Sequence, residues 1–74
     1  MSIVARICTA IQEYQKTNQT LKDPTAIYLG ADEYYQLRAD EDARFTLTLS
    51  NAGIIEFYGI PVYRVVLRSY LRVC

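Results

Sequence analysis

The sequence has no histidine and no tryptophan. Without imidazole the chain lacks the side chain that most often acts as general base, proton shuttle and metal ligand near neutral pH. Its two cysteines, Cys8 and Cys74, are too few for the disulfide framework that staples small secreted domains, and they read as free thiols of a reducing compartment. Neither has a histidine to activate it and neither lies at an electropositive helix start, so neither is a candidate nucleophile. Three glycines stand apart at positions 30, 53 and 59, which excludes a glycine-rich phosphate loop. No window is apolar for the length that a membrane helix needs. In "MSIVARICTAI", Arg6 interrupts the apolar run and no basic segment precedes it, so a signal peptide is not expected. Cys74 is last rather than fourth from the end, which is not a prenylation box, and Asn18-Gln19-Thr20 is a coincidental sequon in a chain without a secretion signal.

Charge of one sign is lacking as well. Eight Lys plus Arg balance eight Asp plus Glu, so the chain has no general attraction for nucleic acid. The run Asp40-Glu41-Asp42 invites a calcium reading, but a calcium loop wants a glycine at its sixth position and a glutamate at its twelfth, and both are missing. These absences predict a non-enzymatic protein with no cofactor, no metal and no membrane partner, working in the cytoplasm.

What the sequence does contain is apolar surface. Half of its 74 residues are hydrophobic (51%), enough for one small core and too many for disorder. A domain of this size buries roughly 60% of its unfolded surface, so its stability is marginal and self-association would raise it.

Ile3, Val4, Ile7, Cys8, Ile11 and Tyr14 recur at helical spacing and predict a helix over 3–18, with Ser2 as its N-cap, Asn18 as a left-handed stop and Cys8 facing the core. Asp23-Pro24 forces an extended entry, and "TAIYL" reads as a short buried strand ending at Gly30. A second helix begins at Ala31 or Asp32, with carboxylates in its first turn, where the helix dipole favours them. Tyr34 and Leu37 share one side of it, adjacent Tyr34 and Tyr35 cannot both be core, and Asp40, Glu41 and Asp42 end it in a solvated loop. "RFTLTLS" alternates as a half-buried strand with Phe45, Leu47 and Leu49 on one face; "SNAG" is a turn, and "IIEFY" is its hairpin partner. Gly59 bends the chain and Pro61 opens a strand that runs on to Val73. The expected class is α+β: an N-terminal helix, a strand, a short helix, then three mainly antiparallel strands in one small sheet covered by the long helix.

The last strand, read this way, puts Arg64, Arg68, Tyr70 and Arg72 on one face. Residues 60–74 contain three arginines and no acid, whereas residues 31–42 contain five acids and one arginine. That separation suits a head-to-tail protein interface in which the acidic helix of one chain meets the basic strand of the next. The candidate interface residues are Arg64, Arg68, Tyr70 and Arg72 with Asp32, Glu33, Asp40 and Asp42. Seven tyrosines among nine aromatics fit such a surface, since tyrosine combines large area with a polar tip. The alternative is single-stranded nucleic acid on the same arginine face, as part of a nucleic-acid-binding or regulatory protein. Cys74, at the end of the strand, is expected to fray.

The run "DPTAIYLGADEYYQL", followed after a charged loop and a hairpin by "FYGIPVYRV", resembles a segment of the tailed-bacteriophage major capsid protein family, in and around its axial domain. There a helix leads to a Pro-initiated apolar strand, then a short helix, and later a Gly-Ile-Pro-Val strand returns to the central sheet. The matching positions are Pro24, Ile27, Leu29 and Leu37, then Gly59, Ile60, Pro61 and Val62. The family's extended arm, long hairpin loop and spine helix have no counterpart in these residues. The resemblance therefore implies a phage or prophage protein acting as a capsid-related accessory or structural protein, in the host cytoplasm or the virion. Its implied partner is a second copy of itself or another phage structural protein.

Overall fold

A computed structural model describes residues 2–19, 22, 24–41, 43, 46–50 and 53–74. The expected positions Asp23, Asp42, Phe45 and the turn residues 51–52 lie outside that set.

Helical spacing of the first apolar residues produces α1 (Ile3–Thr17). Its first turn leaves amides without intrahelical partners, and the Ser2 hydroxyl accepts from the Ala5 amide at 3.1 Å. The other end differs from expectation. Asn18 has a φ of −92° and acts through its side chain, whose Nδ2 donates to the Tyr14 carbonyl at 2.8 Å; the left-handed residue is the next one, Gln19. An asparagine amide can satisfy a terminal carbonyl without entering the left-handed region itself.

Pro24 is buried and introduces β1 (Ile27–Leu29), which passes through Gly30 into α2 (Ala31–Ala39). The hairpin follows as β2 (Leu47–Leu49) and β3 (Ile55–Phe57), closed by bonds from the Ser50 amide to the Ile54 carbonyl and from the Gly53 amide to the Ser50 carbonyl, both 2.9 Å. β3 turns into β4 (Ile60–Arg64) through Tyr58 and Gly59, which both have positive φ, 50° and 82°. Two consecutive left-handed residues make the tight hairpin turn whose twist matches its strands, and Gly59 is the residue suited to it.

The fold is α+β: the described residues form two helices and one five-stranded mixed sheet of order β2-β3-β4-β1-β5, where β5 is Leu71–Val73. β4 lies parallel to β1, and the other neighbours are antiparallel. The layout follows the expected one except at its end. The alternation from Val62 to Val73 reads as one strand, but the chain leaves the sheet after Arg64, crosses the start of α2 through 65–70, and returns as β5 on the far side of β1. Four strands, not three, therefore follow α2. The crossing also changes the alternation: Tyr63 and Leu71, expected on one face, lie on opposite faces.

Ile3 and Ile7 of α1, Leu37 of α2, and Ile27, Leu29, Phe57, Ile60 and Val62 of the sheet form one buried cluster, with Leu71 and Val73 packed against it. Burying each such side chain contributes roughly 1.5–3 kcal/mol. Tyr34 packs on this cluster while Tyr35 is 74% exposed, as their adjacency requires. Cys8 also joins it. Cys74 does not fray: its amide donates to the Ala26 carbonyl at 2.9 Å, and its carbonyl accepts from the Thr25 amide at 2.7 Å.

A candidate association surface

Alternation in the strands, with one face given to the core, fixes the other face. Paired residues of neighbouring strands point the same way, so Thr48, Glu56, Pro61, Tyr63, Tyr28 and Arg72 share the side opposite the helices. Not one of these six is buried. Tyr63, Tyr28 and Arg72 stand in a row across β4, β1 and β5. The two tyrosine rings stack on each other, with centroids 5.7 Å apart and planes 27° from parallel. Arg72 beside them is exposed, and its hydrogen bond with Tyr70 and the electrostatic pull of Cys74 and Tyr70 hold its proton above the usual arginine range.

One end of this face is bounded by the 65–70 crossing. A concavity of about 330 Å³ lies there, lined by Tyr28, Val65, Leu67, Tyr70, Arg72 and Cys74. Leu67 is 53% exposed and Val66 fully so, which extends the apolar surface beyond the strands. A second concavity of about 480 Å³ on the outer side of the crossing is lined by Ala31, Arg64, Val65, Val66, Leu67 and Arg68.

The crossing itself is clamped. The Gly30 amide donates to the Tyr70 carbonyl at 2.8 Å, the Ala31 amide to Leu67 at 2.8 Å and the Asp32 amide to Arg68 at 2.9 Å, so the first amides of α2 are satisfied by the loop rather than by a cap side chain. Glu33, in the same first turn, turns inward. Its Oε2 accepts from the Ser69 hydroxyl at 2.7 Å and its Oε1 from the Tyr70 amide at 2.9 Å, with the Arg6 guanidinium 3.7 Å away. Burial alone would raise the Glu33 pKa. The Ser69 hydroxyl, the Tyr70 amide, its own amide and Arg6 outweigh that and hold the carboxyl below its ordinary value. A β-carbon on Gly30 would stand 2.6 Å from the Tyr70 nitrogen and 2.9 Å from the Leu67 oxygen, so only glycine admits the crossing this close.

The candidate residues taken from the sequence are thus dispersed. Arg64 is exposed at the end of β4, Arg68 lies in the crossing and Arg72 in β5, so they do not form one strand face. Tyr70 is half-buried beside Arg72. Glu33 is 2% exposed and belongs to the interior rather than to a surface. Asp32 pairs with Arg68 of the same chain at 3.5 Å, which meets within one molecule part of the complementarity expected between two. Asp40 is half-buried at the end of α2, its carbonyl accepting from the Ala43 amide; Asp42 is outside the described residues. Sequence reasoning missed Tyr28, Tyr63 and Glu56. Pairing "AIYLG" with "PVYRV" in register would have found the two tyrosines, because each directly follows the β-branched core residue of its strand, Ile27 or Val62.

Among the described residues no three Cys, Asp or Glu side chains converge as a metal site, and no helix is long and apolar enough to cross a membrane. No protein-family model, curated protein or solved structure matches the chain.

Proposed function

We propose that this protein is a non-enzymatic association module that binds a protein surface through the open face of its sheet. The observation that carries the proposal is the uncovered row of Tyr63 and Tyr28, continued by Leu67 and Val66 at one end. Aromatic area with a polar tip, next to exposed aliphatic groups on a clamped loop, is what protein interfaces use. The resemblance to the phage capsid family is carried by the segments that supply this row, "AIYLG" and "GIPVYRV". It directs the proposal to a phage or prophage setting, as a capsid-related accessory or structural protein, because in that family the segment packs around capsomer axes.

Nucleic acid is the rival, favoured by Arg72 beside Tyr28 and by the exposed Arg64 and Arg68. Two features weigh against it. The tyrosines stack on each other instead of offering a free ring to a base, and Glu56 shares their face. Fluorescence titration with single-stranded and duplex DNA at moderate salt tests the choice. The expected result is no saturable binding. Saturable binding with a steep salt slope, lost in Tyr28→Ala and Tyr63→Ala, would replace the protein-binding reading with the nucleic-acid one.

A further inference from the structure

Charge on the open face is arranged in a way that identifies a partner. Across four consecutive strands the outward residues run Glu56 on β3, Pro61 and Tyr63 on β4, Tyr28 on β1, and Arg72 on β5. An acid stands at one side, a base at the other, and two tyrosines between them. Glu56 has no ion-pair partner among the described residues. A two-fold axis lying in the plane of the face, parallel to the strands and midway between β4 and β1, maps this pattern onto its complement. It sets β4 against β1 of the second copy and β3 against β5. Tyr63 then meets Tyr28 and Glu56 meets Arg72, each contact made twice, which is the self-complementarity that a two-fold interface requires.

The register allows it. Tyr63, Tyr28 and Arg72 are level across the sheet, whereas Glu56 is level with Pro61, two residues back along β4. The resulting offset is about 6–7 Å at roughly 3.3 Å per residue, within the reach of an arginine side chain. An axis across the strands would instead place Glu56 over β3 of the other copy, beside its like charge. We infer that the open face is covered by the same face of a second copy of this chain, with reciprocal Glu56–Arg72 pairs flanking a core of Tyr28 and Tyr63. This inference rests on the association reading above and names its partner.

Size sets the expected strength. Four strands at roughly 4.8 Å each give a patch about 19 Å wide, and even with Val66 and Leu67 it falls short of the roughly 800 Å² per partner of a standard interface. The dimer is therefore expected to exchange with monomer as concentration changes, and its exposed charge pairs to weaken in salt.

The test is the solution mass by light scattering from about 1 μM to 1 mM, the range in which so small an interface titrates, with reductant present so that Cys74 cannot cross-link. Wild type should rise from monomer to dimer. Glu56→Arg and Arg72→Glu should each move the midpoint to at least tenfold higher concentration, and the double exchange should return it to near the wild-type value. Circular dichroism on each variant checks that these surface changes leave the fold intact. A monomer at every concentration overturns the inference while leaving association with a different protein standing. A dimer indifferent to both single changes, as one joined through the β2 edge at Leu49 would be, also overturns it, as does a double exchange that fails to restore what the singles lose. DNA binding in the earlier titration would instead remove the reading on which the inference rests.

Discussion

Two regions meet β1 at its end and along its open side, and they use the same residue types to opposite effect. At the end, around Gly30 and Glu33, tyrosine, serine, arginine and glutamate groups close on one another: the carboxylate is buried, the loop carbonyls cap α2, and each partner belongs to the same chain. Along the open side, Tyr63, Tyr28 and Arg72 stand in a row, with Glu56 on the same face two residues back, and no described element covers them. The first region is a stability device and the second contributes little to the isolated fold. A glutamate in a helix and a glutamate in a strand look alike as letters; burial separates a clamp from a contact.

The comparison is broken most severely by Gly30→Ala. The added carbon meets backbone on the loop side, which cannot rotate away, and a loss of about 3 kcal/mol is expected in urea unfolding. In so small a domain that approaches complete unfolding, and a neutral result would mean that the crossing is not clamped. Glu33→Ala comes next, with a loss of roughly 2–3 kcal/mol, because the Tyr70 amide is left without its acceptor and Arg6 without its carboxylate.

Acid should act on the same clamp. The folded pKa of Glu33 lies below its ordinary value of 4.5, so its contribution to stability is present above about pH 4.5 and is lost as pH falls through the folded value. Urea midpoints measured through this range should fall more steeply for wild type than for Glu33→Gln; parallel curves would show that other carboxylates set the acid response.

Tyr63→Ala sharpens the other half of the comparison. It should cost the monomer less than about 1 kcal/mol, the worth of a cross-strand aromatic pair, yet abolish association. Loss of stability without loss of association would reverse the roles assigned to the two regions. Arg68→Ala is the smallest expected effect, under about 0.5 kcal/mol and reduced further by salt, because its pair with Asp32 is exposed on both sides (91% and 52%).

Much of this fold was legible. The helical spacing of Ile3, Ile7 and Ile11, the Ser2 cap, the Pro24-led strand, the strand at Leu47–Leu49 (though its Leu49 is 71% exposed, not half-buried as expected) and the turn at Gly59 are local signals, and local physics decides them. The break between β4 and β5 was not legible, because "RVVLRSYL" has neither glycine nor proline and alternates as a strand should. What draws it out of the sheet is the buried Glu33 carboxylate and the amides of Gly30, Ala31 and Asp32, 36 or more residues earlier in the chain. The arginine face failed for the same reason: its even spacing holds only while the strand is continuous.

By itself, then, the sequence determined the α+β class and the elements up to Arg64, since periodicity and turn chemistry act over a few residues. Only the tertiary structure decided that Glu33 is an internal clamp, that Arg68 is paired within the chain and that Tyr28 and Tyr63 share an uncovered face. Those outcomes depend on which strand lies beside which, and strand order follows from the burial of the whole core rather than from any segment of it.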